Sequence, residues 1–182
     1  MLGVDPGSRA TGYGVVEADG SRLRCVACGV IRPAEGPLEA RLGQIHHALG
    51  EVLRRYEPTH VGFEAIFAAR NLRSAIVLGQ ARGAALAVCG LAGAVVHEYT
   101  PSEVKSAVVG QGRASKQQVQ HMVRLLLGLE RAPASDASDA LAVAICHLQR
   151  APLRAAIDAA EHRSWASLPS PASSVATRRP VP

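Results

Sequence analysis

Residues 2–16 read LGVDPGSRATGYGVV, and this stretch decides how the rest of the chain is interpreted. A short apolar run, Leu2–Asp5, ends on a carboxylate, and Pro6-Gly7 then turns the chain toward a second apolar run that begins at Thr11. A carboxylate at the end of a buried strand is costly unless it has a partner. The stretch therefore predicts a strand, a turn and a second strand, with further charged groups close to Asp5.

The apolar pattern beyond this stretch predicts an α/β fold with a mixed sheet. Strands are predicted over residues 2–5, 11–17 and 22–32, the last two joined by the hairpin dipeptide Asp19-Gly20. Helix, strand, helix and strand then alternate over residues 37–56, 59–64, 71–90 and 94–99, and further helices over 101–109, 117–127 and from Ser135 onward. We expect the first, fourth and fifth strands to be parallel and the second antiparallel.

Length and composition indicate one globular domain with a tail. The chain has 182 residues, 48% of them hydrophobic and 19% charged. We expect a domain over residues 1–155 and a C-terminal extension over 156–182, in which the Pro/Ser-rich part from about residue 164 is predicted to be disordered. No apolar run of membrane-spanning length is free of glycine and charge, and no signal peptide is evident, so a cytoplasmic protein without a membrane partner is expected.

Positive charge is concentrated in two segments. The formal net charge is +5, and residues 65–97 and 104–129 contain basic residues but no acid. Basic segments around a small acidic cluster favour a polyanion held over a metal site. The alternative is a basic surface that only confers solubility.

Cys25 and Cys28 form a CxxC pair within the third predicted strand. Residues three apart on a regular strand face opposite sides, and there is no second CxxC to complete a zinc site. We therefore expect ordinary buried thiols rather than a metal or redox pair.

Four acids stand at positions where elements begin or end. Asp5 and Glu64 close the first and fourth strands, whose carboxyl ends would meet at one cleft. Asp136 and Asp139 are three apart and share a face of the last helix. Such a cluster suits Mg²⁺ and a two-metal phosphodiester hydrolysis by water. The alternatives are unrelated strand-end acids in solvent and, for the helical pair, acids that complement the helix dipole beside a Ser135 cap.

Five stretches in order carry a resemblance to a known family: LGVDPGSRATGYGVV, FEAIFAARN, LGQARG, VKSAVVGQGRASKQQVQHMVR and DASDALAVAICH. They span residues 1 to about 150. On these motifs the sequence resembles the RuvC family of Holliday-junction resolvases, crossover junction endodeoxyribonucleases of the RNase H-like superfamily. The resemblance implies an RNase H-like nuclease domain with strand order 3-2-1-4-5 and helices on both faces of the sheet.

The resemblance also implies a function and a set of site residues. It makes Asp5, Glu64, Asp136 and Asp139 the catalytic ligands of Mg²⁺, about two ions per subunit, with Mn²⁺ able to substitute. The implied DNA-contacting residues are Phe67, Arg70, Asn71, Lys105, Arg113 and Lys116. The implied activity is the paired, symmetric nicking of four-way DNA junctions in recombination and repair. The implied partners are a second copy of the chain, joined through the small-residue helix around residues 79–90, and the RuvA and RuvB branch-migration proteins of the bacterial cytoplasm.

Parts of the sequence are compatible with three other interpretations. The DPGSRATGYGVV hairpin also resembles the phosphate-binding hairpin of actin-like and sugar-kinase ATPases, but those folds need a second copy of the domain and the chain has no internal repeat. A junction-binding scaffold without nuclease activity would be expected to lose acids, and all four are present. A related nuclease that acts on RNA or on other branched DNA stays open, because the acids predict phosphodiester chemistry and not the choice of substrate.

Overall fold

The computed structural model describes residues 1–65 and 72–166, with side chains described over 1–65 and 72–150. Met1–Arg150 form one compact unit, and a second unit begins at Ala151. Phe67, Arg70 and Asn71, and the predicted tail from residue 167 onward, lie outside the described residues. The domain boundary near residue 155 stays a prediction.

The sheet has the predicted order. Its strands are β1 Leu2–Asp5, β2 Thr11–Asp19, β3 Arg22–Ile31, β4 His60–Glu64 and β5 Val95–Tyr99, and the helices are α1 Leu38–Tyr56, α2 Leu72–Leu91, α3 Pro101–Val109, α4 Lys116–Leu126 and α5 Ser135–Ala166. The five strands lie in the order β3-β2-β1-β4-β5. β2 is antiparallel to both β1 and β3, while β4 is parallel to β1 and β5. The expected mixed sheet of an RNase H-like fold is thus confirmed.

Helices cover both faces of this sheet. Leu2 and Val4 of β1 and Phe63 of β4 are fully buried against α1 and α2. The opposite face packs against α3, α4 and α5 in a second apolar cluster, in which the α5 residues 141–146 are almost wholly buried. Successive strand residues point to opposite faces, so each strand supplies both clusters.

Glycines in the opening stretch make room for α5. A Cβ on Gly3 would lie 1.9 Å from the backbone oxygen of Ala140, and a Cβ on Gly12 would lie 1.9 Å from that of Asp136. Both distances are far below contact distance, so only glycine lets the helix backbone lie directly on the sheet here. This close packing brings the start of α5 beside the end of β1.

The expectation that Cys25 and Cys28 face opposite sides is wrong. The pairing of β2 with β3 shifts between Val15, which lies opposite Ala27, and Val16, which lies opposite Cys25, so Val26 is an extra residue in β3. Such a β-bulge reverses the alternation of side chains. Both cysteines consequently pack against the cluster under α3, α4 and α5. Burial, followed by the neighbouring Cys28, raises the pKa of the Cys25 thiol to about 12.

Helix α2 is apolar for a reason the fold explains. By length and mean hydropathy, 1.4, it meets the requirements of a membrane span, on composition alone. Its midpoint nevertheless carries Arg82, which is buried and pairs with Glu98 of β5 at 2.7 Å. Ala81, Ala85 and Cys89 are fully buried, and the last two pack in the cluster under α1 and α2. The apolar composition of α2 is therefore explained in part by the face of the helix that packs on the sheet.

Candidate active site

The structure brings the four predicted acids together. Asp5 ends β1 and Glu64 ends β4, and these neighbouring parallel strands run in register, with Val4 opposite Phe63. Burial, followed by the negative charges of Asp139, Asp136 and Glu64 in that order, raises the pKa of Asp5 to about 7, against the opposing charge of Lys116. A carboxylate feels its neighbours this strongly only at short range. The strand-end acids therefore share one cluster with the acids that begin α5.

Two predicted lysines face this cluster. Burial, followed by the charge of Asp139, raises the pKa of Glu64, while Lys105 and Lys116 lower it. Lys116 Nζ donates a hydrogen bond of 2.6 Å to Oδ2 of Asp139. This hydrogen bond is the largest of the contributions that raise the pKa of Lys116. The two ammonium groups thus compensate part of the negative charge.

Capping interactions position the helices that carry these lysines. Thr100 begins α3 in a capping box with Glu103, and Pro101 occupies the first turn. Ser115 begins α4 in a second capping box with Gln118, which makes Lys116 the first residue of that helix. Such reciprocal bonds define where a helix begins. The predicted Arg113 is exposed in the loop between α3 and α4.

The cluster has the properties of a cation site. Four carboxylates face two lysines, and the pKa of Asp5 stays well above its ordinary value despite the attraction of Lys116. The negative charge is therefore incompletely compensated. Carboxylate oxygens are the ligands that hard divalent cations prefer, so the residues present fit such an ion.

Sequence reasoning missed Arg82 as a residue of this site. One terminal nitrogen of its buried guanidinium donates a 2.7 Å hydrogen bond to the backbone oxygen of Glu64, and the other pairs with Glu98. The guanidinium also lies 5.1 Å from the centre of the Phe63 ring. Arg82 therefore holds the end of β4 that carries Glu64. Its signal in the sequence is a lone arginine within the small apolar run GQARGAALA, where a charge is kept only if it is paired.

Comparison with known proteins decides the family. The family described as "Crossover junction endodeoxyribonuclease RuvC" matches residues 1–147 of this chain. The chain belongs to the RuvC family. It is accordingly a crossover junction endodeoxyribonuclease, and membership of the RuvC family implies dependence on a divalent metal.

Individual members of the RuvC family match over most of their length. The protein named "Crossover junction endodeoxyribonuclease RuvC" of Alkalilimnicola ehrlichii is 54% identical over 155 residues, which cover 85% of this chain and 94% of the relative. The protein of the same name from Marinobacter nauticus is 52% identical over 147 residues, which cover 81% of this chain and 84% of the relative. The structure titled "T. thermophilus RuvC in complex with Holliday junction substrate" has a TM-score of 0.79 at 38% identity, covering 84% of this chain and 96% of that chain.

Proposed function

We propose that this chain resolves four-way DNA junctions by paired, symmetric nicks in recombination and repair, and that Asp5, Glu64, Asp136 and Asp139 hold the metal. The metal proposed is Mg²⁺, about two ions per subunit, with Mn²⁺ able to replace it. The observation that supports this most directly is the meeting of the four carboxylates at one place, which together with burial raises the pKa of Asp5 to about 7. The cluster lies at the carboxyl ends of β1 and β4, where ligands bind in open α/β sheets.

The residues divide the chemistry between them. The four carboxylates would hold the ions, which would supply a water nucleophile at neutral pH and stabilise the charge on the leaving oxygen. Arg82 keeps the end of β4 in place through the Glu64 backbone. The side chain of Lys116 is 58% exposed, so its ammonium can exchange Asp139 for a phosphate oxygen of the DNA. Lys105 supplies a second positive charge beside Glu64.

The four-way junction is proposed as the substrate because the T. thermophilus relative is solved with a Holliday junction. The net charge of +5 and the acid-free basic segments favour DNA over an uncharged ligand. Phe67, Arg70, Asn71 and Arg113 are proposed as further DNA contacts on the strength of the family resemblance.

A homodimer is the proposed assembly, because paired nicks require two active sites. The surface proposed for it is the exposed face of α2, which presents Leu72 and Ile76 at 77% and 55% exposure. Gly79 and Gly83 continue this face and would let a second backbone approach closely. Association with RuvA and RuvB and a location in the bacterial cytoplasm belong to the same proposal and rest on family membership.

Cleavage of a labelled four-way junction, with and without Mg²⁺, tests this function. We expect the wild type to cut two symmetric strands only when the ion is present. Asp5→Asn should reduce the rate by at least about 100-fold, the size of one lost preorganised electrostatic contribution. The matched control is Asp19→Asn, because Asp19 is an exposed acid at the hairpin of β2 and β3 and should leave the rate unchanged.

Two results would contradict the proposal in different ways. An intact junction after incubation of the wild type with Mg²⁺, or equal rates for Asp5→Asn and wild type, would remove the metal-dependent chemistry from these acids. Cleavage of linear duplex or of other branched DNA or RNA as fast as the junction would favour the alternative, a related RNase H-like nuclease with another substrate.

A further inference from the structure

Three imidazoles meet at the other end of the face that carries the acids. His60 begins β4, His97 lies on β5 and His147 lies on α5, and one nitrogen from each lies within 4.8 Å of the others. Their ring centres are 4.5–5.2 Å apart. His147 is 5% exposed, whereas His60 and His97 are half-buried. Solvent therefore reaches the cluster mainly at the two strand histidines.

Strand register and helix docking assemble this cluster. Val95 lies opposite His60 and Gly62 lies opposite His97, so the two histidines occupy alternate positions that share a face. A Cβ on Gly62 would lie 2.9 Å from the Val143 side chain, which shows how closely α5 packs on this face. His147 follows Val143 by four residues and lies one turn further along the same side of α5.

The distance between His60 and His97 suits a tetrahedral metal ion, and the ligand nitrogens of all three rings lie within 4.8 Å of one another. Nδ1 of His60 and Nε2 of His97 are 3.0 Å apart. Zinc–nitrogen bonds of 2.0–2.1 Å in a tetrahedron place two ligand nitrogens about 3.3 Å apart, so this pair needs to move by only a few tenths of an ångström. The Tyr99 hydroxyl lies 2.7 Å from Nδ1 of His147. An Nδ1–H that donates to this oxygen orients the ring and makes Nε2 the ligand atom, the usual arrangement of a metal-bound histidine.

We propose that His60, His97 and His147 bind one transition-metal ion of the zinc class, which joins β4, β5 and α5. Imidazole nitrogen suits zinc, cobalt, nickel and copper, whereas Mg²⁺ prefers oxygen, so this ion differs from that of the acid cluster. The two sites are also separate. His60 and Glu64 are four strand residues apart, about 13 Å, and Asp139 and His147 are eight helix residues apart, about 12 Å. The proposal does not depend on the nuclease function.

Metal titration of the full chain tests this site. Protein stripped by a chelator is placed in millimolar Mg²⁺ to fill the carboxylate cluster, and Zn²⁺ is then titrated calorimetrically, with Co²⁺ as a coloured probe. We expect one equivalent of Zn²⁺ to bind and the melting temperature to rise with it. His60→Gln and His97→Gln should each weaken Zn²⁺ binding by at least about 100-fold, since a direct ligand contributes more than an outer-sphere partner does.

The matched control is His47→Gln, because the side chain of His47 is 78% exposed on α1 and it lies outside the cluster. It should bind Zn²⁺ as the wild type does. Melting of each variant in chelator verifies that it is folded, and the two half-buried strand positions provide independent variants. Absence of saturable Zn²⁺ binding in the wild type, or an affinity equal to that of the wild type in both strand variants, would overturn the proposal. A thiolate charge-transfer band with Co²⁺ would also overturn it, because the ion would then be bound by cysteine rather than by the three imidazoles.

Discussion

At the scale of single residues, the defining feature is an acid that ends a buried strand. Asp5 is held in a position where burial and three neighbouring carboxylates oppose its ionisation. Lys116 and Lys105 relieve only part of this cost, through a hydrogen bond to Asp139 and through charge near Glu64. Without a metal ion, the ionised form of Asp5 is therefore electrostatically unfavourable in the folded protein. Binding of a divalent cation or of a proton removes this unfavourable energy.

This unfavourable energy predicts how stability depends on pH in chelator-treated protein. The folded-state pKa of Asp5, about 7, lies above its ordinary value of 3.8, so the folded state binds the proton more tightly than the unfolded state does. Its contribution to the free energy of unfolding consequently falls as pH rises from about 4 to 7 and is constant above that. Asp5→Asn removes the ionisation and should make the metal-free protein more stable than wild type by up to ~4 kcal/mol at pH 8, with little difference at pH 4.

Urea denaturation in chelator at both pH values measures this difference. Asp19→Asn is the control and should track the wild type at each pH. A stabilisation by Asp5→Asn that is equal at pH 4 and pH 8, or none at pH 8, would mean that ionised Asp5 is not unfavourable in the folded protein.

At the scale of elements, the contact between α5 and the β1–β2 hairpin positions the acids. Gly3 and Gly12 permit backbone-to-backbone packing, and Asp136 follows Ser135, the first residue of the docked helix. The small residues of DALAVAIC complement these glycines from the helix side. The distance between the helical acids and Asp5 is therefore set by two glycines rather than by the acids themselves.

Gly12→Ala should displace the start of α5. The added Cβ would lie 1.9 Å from the backbone oxygen of Asp136 and 2.3 Å from its carbonyl carbon, and backbone atoms cannot swing aside as a flexible side chain can. We expect a loss of about 3 kcal/mol in the free energy of unfolding, the upper range for overpacking, together with slower junction cleavage.

Gly43→Ala is the matched control for this substitution. Gly43 lies within α1, and a Cβ there would meet nothing within 4 Å. Alanine should stabilise that helix by about 0.5–1 kcal/mol. Denaturant unfolding of both variants measures their free energies of unfolding. Similar free energies for the two variants would show that the packing of α5 does not require glycine at position 12.

At the scale of the whole molecule, α2 carries apolar residues on two faces. One face packs on the sheet around the buried Arg82, and the other is exposed at Leu72, Ile76 and Leu91. An exposed apolar face on a helix is a feature of protein interfaces. A second copy of the chain, which paired nicking requires, is the partner proposed for it.

Ile76→Glu should weaken the proposed dimer. A charge on the exposed apolar face would be buried without a partner on association, so we expect a shift from dimer to monomer and unpaired nicks in the junction. Light scattering after size exclusion measures the mass. Leu125→Glu is the control, because Leu125 is 52% exposed on α4 and should leave the mass unchanged. A monomeric wild type would contradict the assembly.

The sequence by itself determined the order of the elements, the mixed sheet and the acids at the ends of β1, β4 and the start of α5. These follow from local signals: apolar periodicity, turn residues and caps act between residues close in the chain. Helix and strand bounds accordingly agree with prediction within two residues wherever both ends were predicted and described.

The tertiary structure decided what depends on register and docking. A single bulge at Val26 turned two cysteines to the same face, and Arg82 reached the Glu64 backbone across two elements. The histidine cluster needs the register of β4 with β5 and the position of α5 at once, so nothing in the spacing of residues 60, 97 and 147 reveals it. Even the glycines of LGVDPGSRATGYGVV were read from sequence as turn and strand residues, whereas Gly3 and Gly12 serve a helix more than 120 residues away in the chain. Contacts of this kind are set by the packing of whole elements, which local sequence signals do not encode.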